Sequence, residues 1–265
     1  MKKLIATTPD GATIAVTVQG SGPPLLLVTG LGGMAKFWAP AALELEKHHT
    51  VISFDHRAIG TSTRGIAPVS IDLLADDAAT VLDAAGVERT LFLGHSMGGA
   101  IGQSFVQKHP GRVSALVLSG TWLRPNRFMQ TLFTSRLKLL KVDPTGYAAL
   151  STLMGYPPDW LEANWGTMDM ATASAPQNPA QIDSTVERIN ALLAFDGSAQ
   201  AGAFAGPVLV QGAKDDMIVP SYLQDELAAA FPKAARHVFA DGGHLFPVSR
   251  TAEFVSTLRQ WIMTL

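Results

Sequence analysis

Three residue types that can together carry acyl transfer occur in this chain in the order serine, acid, histidine. Ser96 comes first, the acidic pair Asp215 and Asp216 follows, and His244 comes last. A serine hydroxyl is a weak nucleophile until an imidazole takes its proton, and a carboxylate can hold that imidazole in the accepting tautomer. These types in this order indicate nucleophilic attack by serine on a carbonyl carbon.

The residues around Ser96 predict a sharp turn between a strand and a helix. The segment Gly94-His95-Ser96-Met97-Gly98 follows an apolar run at 90–93 and opens a helical pattern at 97–108. The central residue of such a turn has an unfavourable backbone conformation, and side chains two positions before and after it would crowd the turn. Glycine at both positions is therefore typical of a serine presented above a sheet.

The acid and the histidine follow two further predicted strands. An apolar run at 207–212 precedes Asp215 and Asp216, and a second run at 237–240 precedes His244. Each of these residues thus lies just past the C-terminal end of a strand. This is the chain order and context of one of the three common serine hydrolase scaffolds, and it differs from the other two.

The composition favours one domain and argues against several partners. Of the 265 residues, 47% are apolar, which is enough for one large α/β core. A formal net charge of −2, without a long run of like charges, gives no electrostatic footprint for nucleic acid or anionic membranes. The chain has no cysteine, and the apolar stretch at residues 4–6 is too short for a signal peptide. We therefore expect a cytoplasmic protein.

Strands and helices alternate along most of the chain, which predicts a mostly parallel sheet covered on both faces. Residues 3–7 and 12–18 predict an antiparallel hairpin at one edge. The segment 122–205 contains helical patterns and no convincing strand. We divide the chain into a core of residues 1–121 and 206–265 and a helical insertion of residues 122–205 over the C-terminal edge of the sheet. The other predicted elements are strands at 24–28, 51–54, 91–93 and 115–118 and helices at 70–85, 97–108, 127–141, 147–154 and 179–195.

Four motifs together resemble the α/β-hydrolase superfamily over nearly the full length of the chain. They are Thr29-Gly30-Leu31-Gly32-Gly33, Asp55-His56-Arg57-Ala58-Ile59-Gly60-Thr61-Ser62, the glycine-flanked segment around Ser96, and Gly243-His244. Within the superfamily, the first motif and the turns at 85–88 and 119–122 are similar to 3-oxoadipate enol-lactonases and to aminoacrylate hydrolases of pyrimidine breakdown. Thr29 and Ala58 depart from the histidine and glycine usual at those positions.

The resemblance implies a two-step acyl transfer with Ser96 as nucleophile and His244 as general base. The backbone N–H groups of Leu31 and Met97 would bind the oxyanion. Gly30 and Gly32 would let the glycine-rich loop approach the substrate closely. Water would then hydrolyse the acyl-enzyme.

Two carboxylates compete for the place of the acid. Asp215 lies three residues after Gly212, the spacing between strand and acid usual in the superfamily, whereas Asp216 lies four residues before Pro220, the commoner spacing between acid and proline. A strand fixes a side chain more rigidly than a following turn does. We therefore favour Asp215 and keep Asp216 as the alternative.

A substrate pocket is expected under the helical insertion. His95, at the variable position beside the nucleophile, is expected to pack in the core or to contact substrate, and Trp122 and Phe246 are expected to supply apolar wall. We expect Asp55 and Arg57 to fix their loop by pairing rather than to take part in the chemistry.

These features predict a serine hydrolase of small carboxylic esters or lactones that needs neither a metal nor another cofactor, since no metal-ligand spacing is present. Hydrolysis of an enol-lactone, of aminoacrylate or a carbamate, or of a carbon–carbon bond is an open alternative, and so is a small-molecule receptor on the same fold. Nucleic acid and membranes are not expected as partners. The protein is expected to be a monomer or a homodimer.

Overall fold

The computed structural model describes residues 1–202 and 204–265 and is built around one eight-stranded sheet. The strands are β1 (Lys2–Thr7), β2 (Thr13–Gln19), β3 (Pro24–Val28), β4 (Thr50–Phe54), β5 (Thr90–His95), β6 (Val113–Ser119), β7 (Val208–Ala213) and β8 (Ala234–Phe239). Their order in the sheet is β1-β2-β4-β3-β5-β6-β7-β8. β2 pairs antiparallel with β1 and with β4, and all other neighbours pair in parallel. The predicted edge hairpin and mostly parallel sheet are confirmed.

Helices cover both faces of the sheet. They are α1 (Ala39–Leu45), α2 (Ile71–Ala84), α3 (Met97–Lys108), α4 (Arg127–Val142), α5 (Pro144–Gly155), α6 (Pro158–Ala163), α7 (Gly166–Ala173), α8 (Pro179–Ala194), α9 (Ser198–Ala201), α10 (Ser221–Ala230), α11 (Phe246–Ser249) and α12 (Thr251–Ile262). The predicted start of α2 is confirmed by its cap, since the Ser70 side chain accepts the N–H of Leu73 at 3.1 Å.

The alternation of side chains along the central strands produces two apolar layers. In β3, Leu26 and Val28 belong to the larger layer, and Leu25 and Leu27 belong to the smaller one. Residues of α2, α3 and α10 complete the larger layer, whereas α1, α11 and α12 complete the smaller. Because helices cover both faces, these strands are continuous apolar runs in the sequence.

The helical insertion lies between β6 and β7, and its described residues form helices α4 to α9 and no strand. Its apolar side chains extend the larger layer; they include Met129, Phe133, Ile189 and Leu192. The short helices α6 and α7 were not predicted, because each buries only one side chain, Leu161 or Met168, and so has no apolar stripe. An ion pair between Arg64 and Glu187, 2.7 Å long, joins α8 to the core.

The loop after β4 is fixed by ion pairs of Arg57, as expected, although not with Asp55. The guanidinium of Arg57 is 1% exposed and contacts Asp77 at 2.6 Å and Asp10 at 2.9 Å. Asp55 instead accepts the backbone N–H of Ala35 at 2.7 Å. A buried guanidinium held by two carboxylates keeps this loop in one conformation.

Replacing Ala58 by glycine is expected to raise the free energy of unfolding by about 0.5–1 kcal/mol. Ala58 has a φ of 62°, in the left-handed region where its Cβ is unfavourable, and glycine removes that penalty while adding some entropy to the unfolded chain. Urea unfolding measures the difference. Ala67→Gly, in the same loop but without a positive φ, is the control and is expected to lower stability. A loss of stability in Ala58→Gly contradicts the prediction.

Candidate active site

Ser96 lies in the turn between β5 and α3 in a strained backbone conformation. Its φ is 56° and its ψ is −122°, and its N–H donates to the carbonyl of Ser119 at 2.8 Å. A Cβ at Gly94 would overlap the carbonyl group of Gly98, and a Cβ at Gly98 would overlap the carbonyl group of Val28. Both positions therefore require glycine, as the sequence indicated.

His244 bonds to Asp216 and not to Asp215. Its Nδ1 donates to Oδ2 of Asp216 at 2.8 Å, and both side chains are almost completely buried. The other oxygen of this carboxylate accepts the backbone N–H groups of Ile218 and Val219, each at 2.8 Å. The preference for Asp215 as the partner of His244 is therefore wrong, and the alternative holds.

The length of β7 explains why the carboxylate that contacts His244 lies one residue further along the chain than expected. The strand ends at Ala213, one residue beyond the predicted end at Gly212, so the third residue after it is Asp216. Asp215 is exposed, and its carboxylate accepts two backbone N–H groups of the loop after β8, at 3.2 and 2.9 Å. Asp215 therefore stabilises the loop that carries His244, but it does not contact the imidazole.

The glycine-rich loop after β3 faces Ser96. A Cβ at Gly30 would lie 2.9 Å from Cβ of Ser96 and 3.3 Å from its Oγ, whereas a Cβ at Gly32 would meet open space. Within residues 1–202 and 204–265, no hydrogen bond is donated by the backbone N–H of Leu31 or of Met97. Met97 begins α3, where N–H groups lack helical partners and favour negative charge. Both N–H groups are thus available to an oxyanion.

Ser96 and His244 belong to adjoining turns. The hydrogen bonds of the His244 side chain, in the described part of the chain, include the one to Asp216 and none to Oγ of Ser96. Ser119, which binds the N–H of Ser96, is followed by Gly120, where a Cβ would lie 3.5 Å from Cε1 of His244. A bond between nucleophile and base commonly tightens only when substrate is bound.

His95 packs beside His244 as a neutral ring. The two ring centroids are 5.0 Å apart, and the His95 ring stacks on Phe37 at 5.1 Å. Its Nδ1 shares a hydrogen bond with Oγ of Ser119 at 3.1 Å. Burial, and after it the electrostatic effect of the neighbouring His244, lowers the pKa of His95 well below its usual range. The structure thus favours packing over substrate contact for this residue.

Trp122 and Phe246 lie in the apolar core rather than on an open pocket wall. Neither side chain has exposed surface. The Phe246 ring stacks on Phe239 with 4.8 Å between the ring centroids, and it forms a T-shaped pair with the His95 ring at 5.6 Å. The structure therefore does not place either ring on the open pocket wall that the sequence predicted, because a large aromatic ring gains most from complete burial.

Two buried side chains that the sequence did not single out hold the glycine-rich loop. Nε2 of His56 donates to the carbonyl of Thr29 at 3.0 Å, and Nε of Arg188, in α8, donates to the carbonyl of Leu31 at 3.1 Å. Arg188 follows Glu187 in a helix, a pattern typical of a solvated helix face. No signal in the sequence distinguishes it from an ordinary surface arginine.

Replacing His56 by glutamine is expected to make the free energy of unfolding fall less steeply as the pH drops. Burial lowers the pKa of His56 to about 4, from 6.5 in an unfolded chain, and its buried Nδ1 has no partner for a second proton in the described part of the chain. Between these pH values the unfolded state binds the proton and the folded state does not. The free energy of unfolding therefore falls as the pH drops from about 6.5 to about 4, by about 3 kcal/mol from this residue.

Urea unfolding at several pH values between 4 and 7 measures this slope for the wild type and for His56→Gln. Other buried histidines share the slope, so the test is the difference between the two proteins. His48→Gln, at an exposed position, is the matched control and is expected to follow the wild type. Parallel curves for the wild type and His56→Gln are the result that contradicts the prediction.

The described residues contain no group of three His, Cys, Asp or Glu side chains placed to hold a metal ion. No helix among them is both long enough and apolar enough to cross a membrane.

Known proteins resemble this chain in sequence and in fold. The family described as alpha/beta hydrolase fold matches residues 23–250. A protein of Azorhizobium caulinodans named carbamate hydrolase RutD is 37% identical over 236 residues, which cover 89% of each chain. The crystal structure of the enol-lactonase from Burkholderia xenovorans has a TM-score of 0.85 at 22% identity, over 95% of this chain and 97% of that one. A hydrolase from Pseudomonas aeruginosa has a TM-score of 0.87 at 25% identity, over 98% of both chains.

Proposed function

We propose, since this chain belongs to the alpha/beta hydrolase family, that it is a serine hydrolase that acts through an acyl-enzyme on Ser96. Family and fold together make it a hydrolase. The assignment of Ser96 as nucleophile, Asp216 as acid and His244 as base is the proposal. Its main support is the convergence at one sheet edge of a strained serine, a histidine bonded to a buried carboxylate, and two backbone N–H groups that have no partner within residues 1–202 and 204–265.

In the proposed reaction, Nε2 of His244 takes the proton of Ser96 while Oγ attacks the carbonyl carbon. The hydrogen bond from Nδ1 to Asp216 keeps Nε2 as the free acceptor, and the carboxylate stabilises the imidazolium that forms. The N–H groups of Leu31 and Met97 stabilise the oxyanion, each by about 3 kcal/mol.

The imidazolium then donates its proton to the leaving oxygen, and the carbon–oxygen bond breaks. A water molecule, deprotonated by the same imidazole, attacks the acyl-enzyme. The carboxylic acid leaves, and the Ser96 hydroxyl regains its proton.

Small carboxylic esters and lactones are the proposed substrates. In both, the leaving group is an oxygen that needs one proton, which the imidazolium supplies. Carbamate hydrolysis is the second candidate, because the relative named carbamate hydrolase RutD is 37% identical over 89% of both chains. The same nucleophile and the same oxyanion donors would act on a carbamate carbonyl.

Rapid-mixing measurement of p-nitrophenol release tests the proposal. The substrates are p-nitrophenyl esters from acetate to laurate and one p-nitrophenyl carbamate. We expect a burst equal to the enzyme concentration, followed by steady turnover, and an added acyl mass on the peptide that contains Ser96. Ser96→Ala is the blank and is expected to show neither. Turnover that survives in Ser96→Ala would sink the proposal, and the rates on the two substrate classes rank the two candidates.

A further inference from the structure

Arg188 is a buried cation without a carboxylate partner among the described residues. Its side chain is 3% exposed, and among the described residues no Asp or Glu oxygen lies within 4.0 Å of its nitrogens. The neighbouring Glu187 pairs with a different arginine: it accepts two hydrogen bonds from Arg64, at 2.8 and 2.7 Å. Leaving a charge buried without a partner costs several kcal/mol. The stability of the fold therefore does not explain a charged arginine at this position.

The other buried arginines of the described chain are compensated. Arg57 contacts two carboxylates, as described above. Arg136, in α4, has no carboxylate partner, but its guanidinium lies 5.0 Å from the ring centre of Phe133 and 5.2 Å from that of Tyr147. Aromatic faces attract a cation. Among the described arginines with less than a tenth of their surface exposed, Arg188 alone has neither kind of partner.

The guanidinium of Arg188 is directed at the proposed active site. Nε donates to the carbonyl of Leu31 at 3.1 Å, and Nη1 donates to Oγ of Ser184 at 2.8 Å, so two neutral acceptors fix its plane. Nη2 makes no hydrogen bond among the described residues. In a planar guanidinium Nη2 lies beside Nε, and therefore next to the loop whose Gly30 faces Ser96. A pKa lowered by burial to about 10 leaves the group charged at neutral pH.

We propose that Arg188 binds a carboxylate that the substrate carries in addition to the bond that is cleaved. This inference rests on the proposed function, because it assigns a substrate class to the same site. A carboxylate would accept a charge-assisted hydrogen bond from Nη2. It would also supply the negative charge that no described side chain provides next to Arg188. With its carboxylate bound to Arg188, the substrate would be oriented so that the carbonyl at its other end reaches Ser96. Half-esters of dicarboxylic acids are accordingly the preferred substrate class.

The test compares charged and neutral esters of matched length. Values of kcat/KM are measured for the monomethyl esters of succinic, glutaric and adipic acids and for the methyl esters of butanoic, pentanoic and hexanoic acids. We expect the wild type to prefer the charged ester of its best length. In Arg188→Gln the charged-to-neutral ratio is expected to fall by about 30-fold or more, and Arg188→Lys is expected to restore part of it.

Arg136→Gln is the matched control, because it removes another buried arginine of the helical insertion that has no place in the proposed site. Its charged-to-neutral ratio is expected to equal that of the wild type. If Arg188 only supports the carbonyl of Leu31, both ester classes lose activity together and the ratio stays constant. That result overturns the proposal, and so does a wild type that prefers the neutral esters.

A binding measurement separates failure of this inference from failure of the proposed function. Calorimetric titration of monomethyl glutarate into Ser96→Ala needs no turnover. We expect binding to Ser96→Ala, and binding at least about tenfold weaker when Arg188→Gln is added. Equal affinities reject the carboxylate site even if Ser96 proves to be the nucleophile. Weakened binding supports the site even if the acyl-enzyme is not found.

Discussion

Asp216→Asn is expected to lower kcat by about 10³- to 10⁴-fold while the protein stays folded. Oδ1 of Asp216 accepts the N–H groups of Ile218 and Val219, which an amide oxygen can still do. Those two bonds turn the new NH2 group toward His244. An NH2 group cannot accept the Nδ1 proton, so the imidazole is driven to the tautomer that carries its proton on Nε2. That tautomer cannot take a proton from Ser96.

Steady-state kinetics on the best ester from the p-nitrophenyl series measures this loss, and circular dichroism checks the fold. Asp215→Asn provides the matched control at the neighbouring position. Asp215 touches backbone N–H groups and not the imidazole, so its kcat is expected to stay within about fivefold of the wild type. A larger loss in Asp215→Asn than in Asp216→Asn would reverse the assignment of the acid.

Gly98→Ala is expected to lower the free energy of unfolding by about 3 kcal/mol or more. A Cβ at this position would overlap the carbonyl group of Val28, in the central strand β3, and it would also press on the carbonyl of Thr29. Backbone of a buried strand cannot move aside as a side chain can. Either α3 shifts away from the sheet or β3 loses pairing, and both outcomes expose core.

Urea unfolding of purified Gly98→Ala gives the stability, and the yield of folded protein gives a second reading if the variant is too unstable to titrate. Gly166→Ala is the control: Gly166 begins α7, where an added Cβ would meet no described atom within 4 Å outside its chain neighbours and its own helix backbone. It is expected to match or slightly exceed the wild type, because alanine favours helix. Equal stability of the two variants would count against the steric argument.

The parts of the site that depend on backbone shape could be predicted from the sequence. The turn at Ser96 leaves a signature because its two flanking positions admit only glycine, and the buried parallel strands leave one because both of their faces are apolar. Family resemblance added the glycine-rich loop. These are local constraints, and each is visible within about ten residues of sequence.

The parts that depend on which atoms meet across the fold could not be predicted in this way. The choice between Asp215 and Asp216 turned on whether β7 ends at residue 212 or 213, and apolar patterns locate strand ends only to within a few residues. Large aromatic residues such as Trp122 and Phe246 are typical both of a core and of a pocket wall, so their type does not distinguish the two. The role inferred for Arg188 depends on a contact with Leu31, which lies 157 positions away in the sequence.

The place of the helical insertion between β6 and β7 has a consequence for how the protein is made. During synthesis Ser96 and the glycine-rich loop emerge first, the insertion follows, and Asp216 and His244 emerge after it. Pairing β7 with β6 closes a loop of roughly ninety residues, and closing it costs only about 1 kcal/mol more than closing a loop a quarter as long. The nascent chain can therefore form the strained turn at Ser96 before His244, the proposed base, has been synthesised. In the proposed reaction, acyl transfer requires β7 and β8 to join the sheet, because Asp216 and His244 follow these two strands.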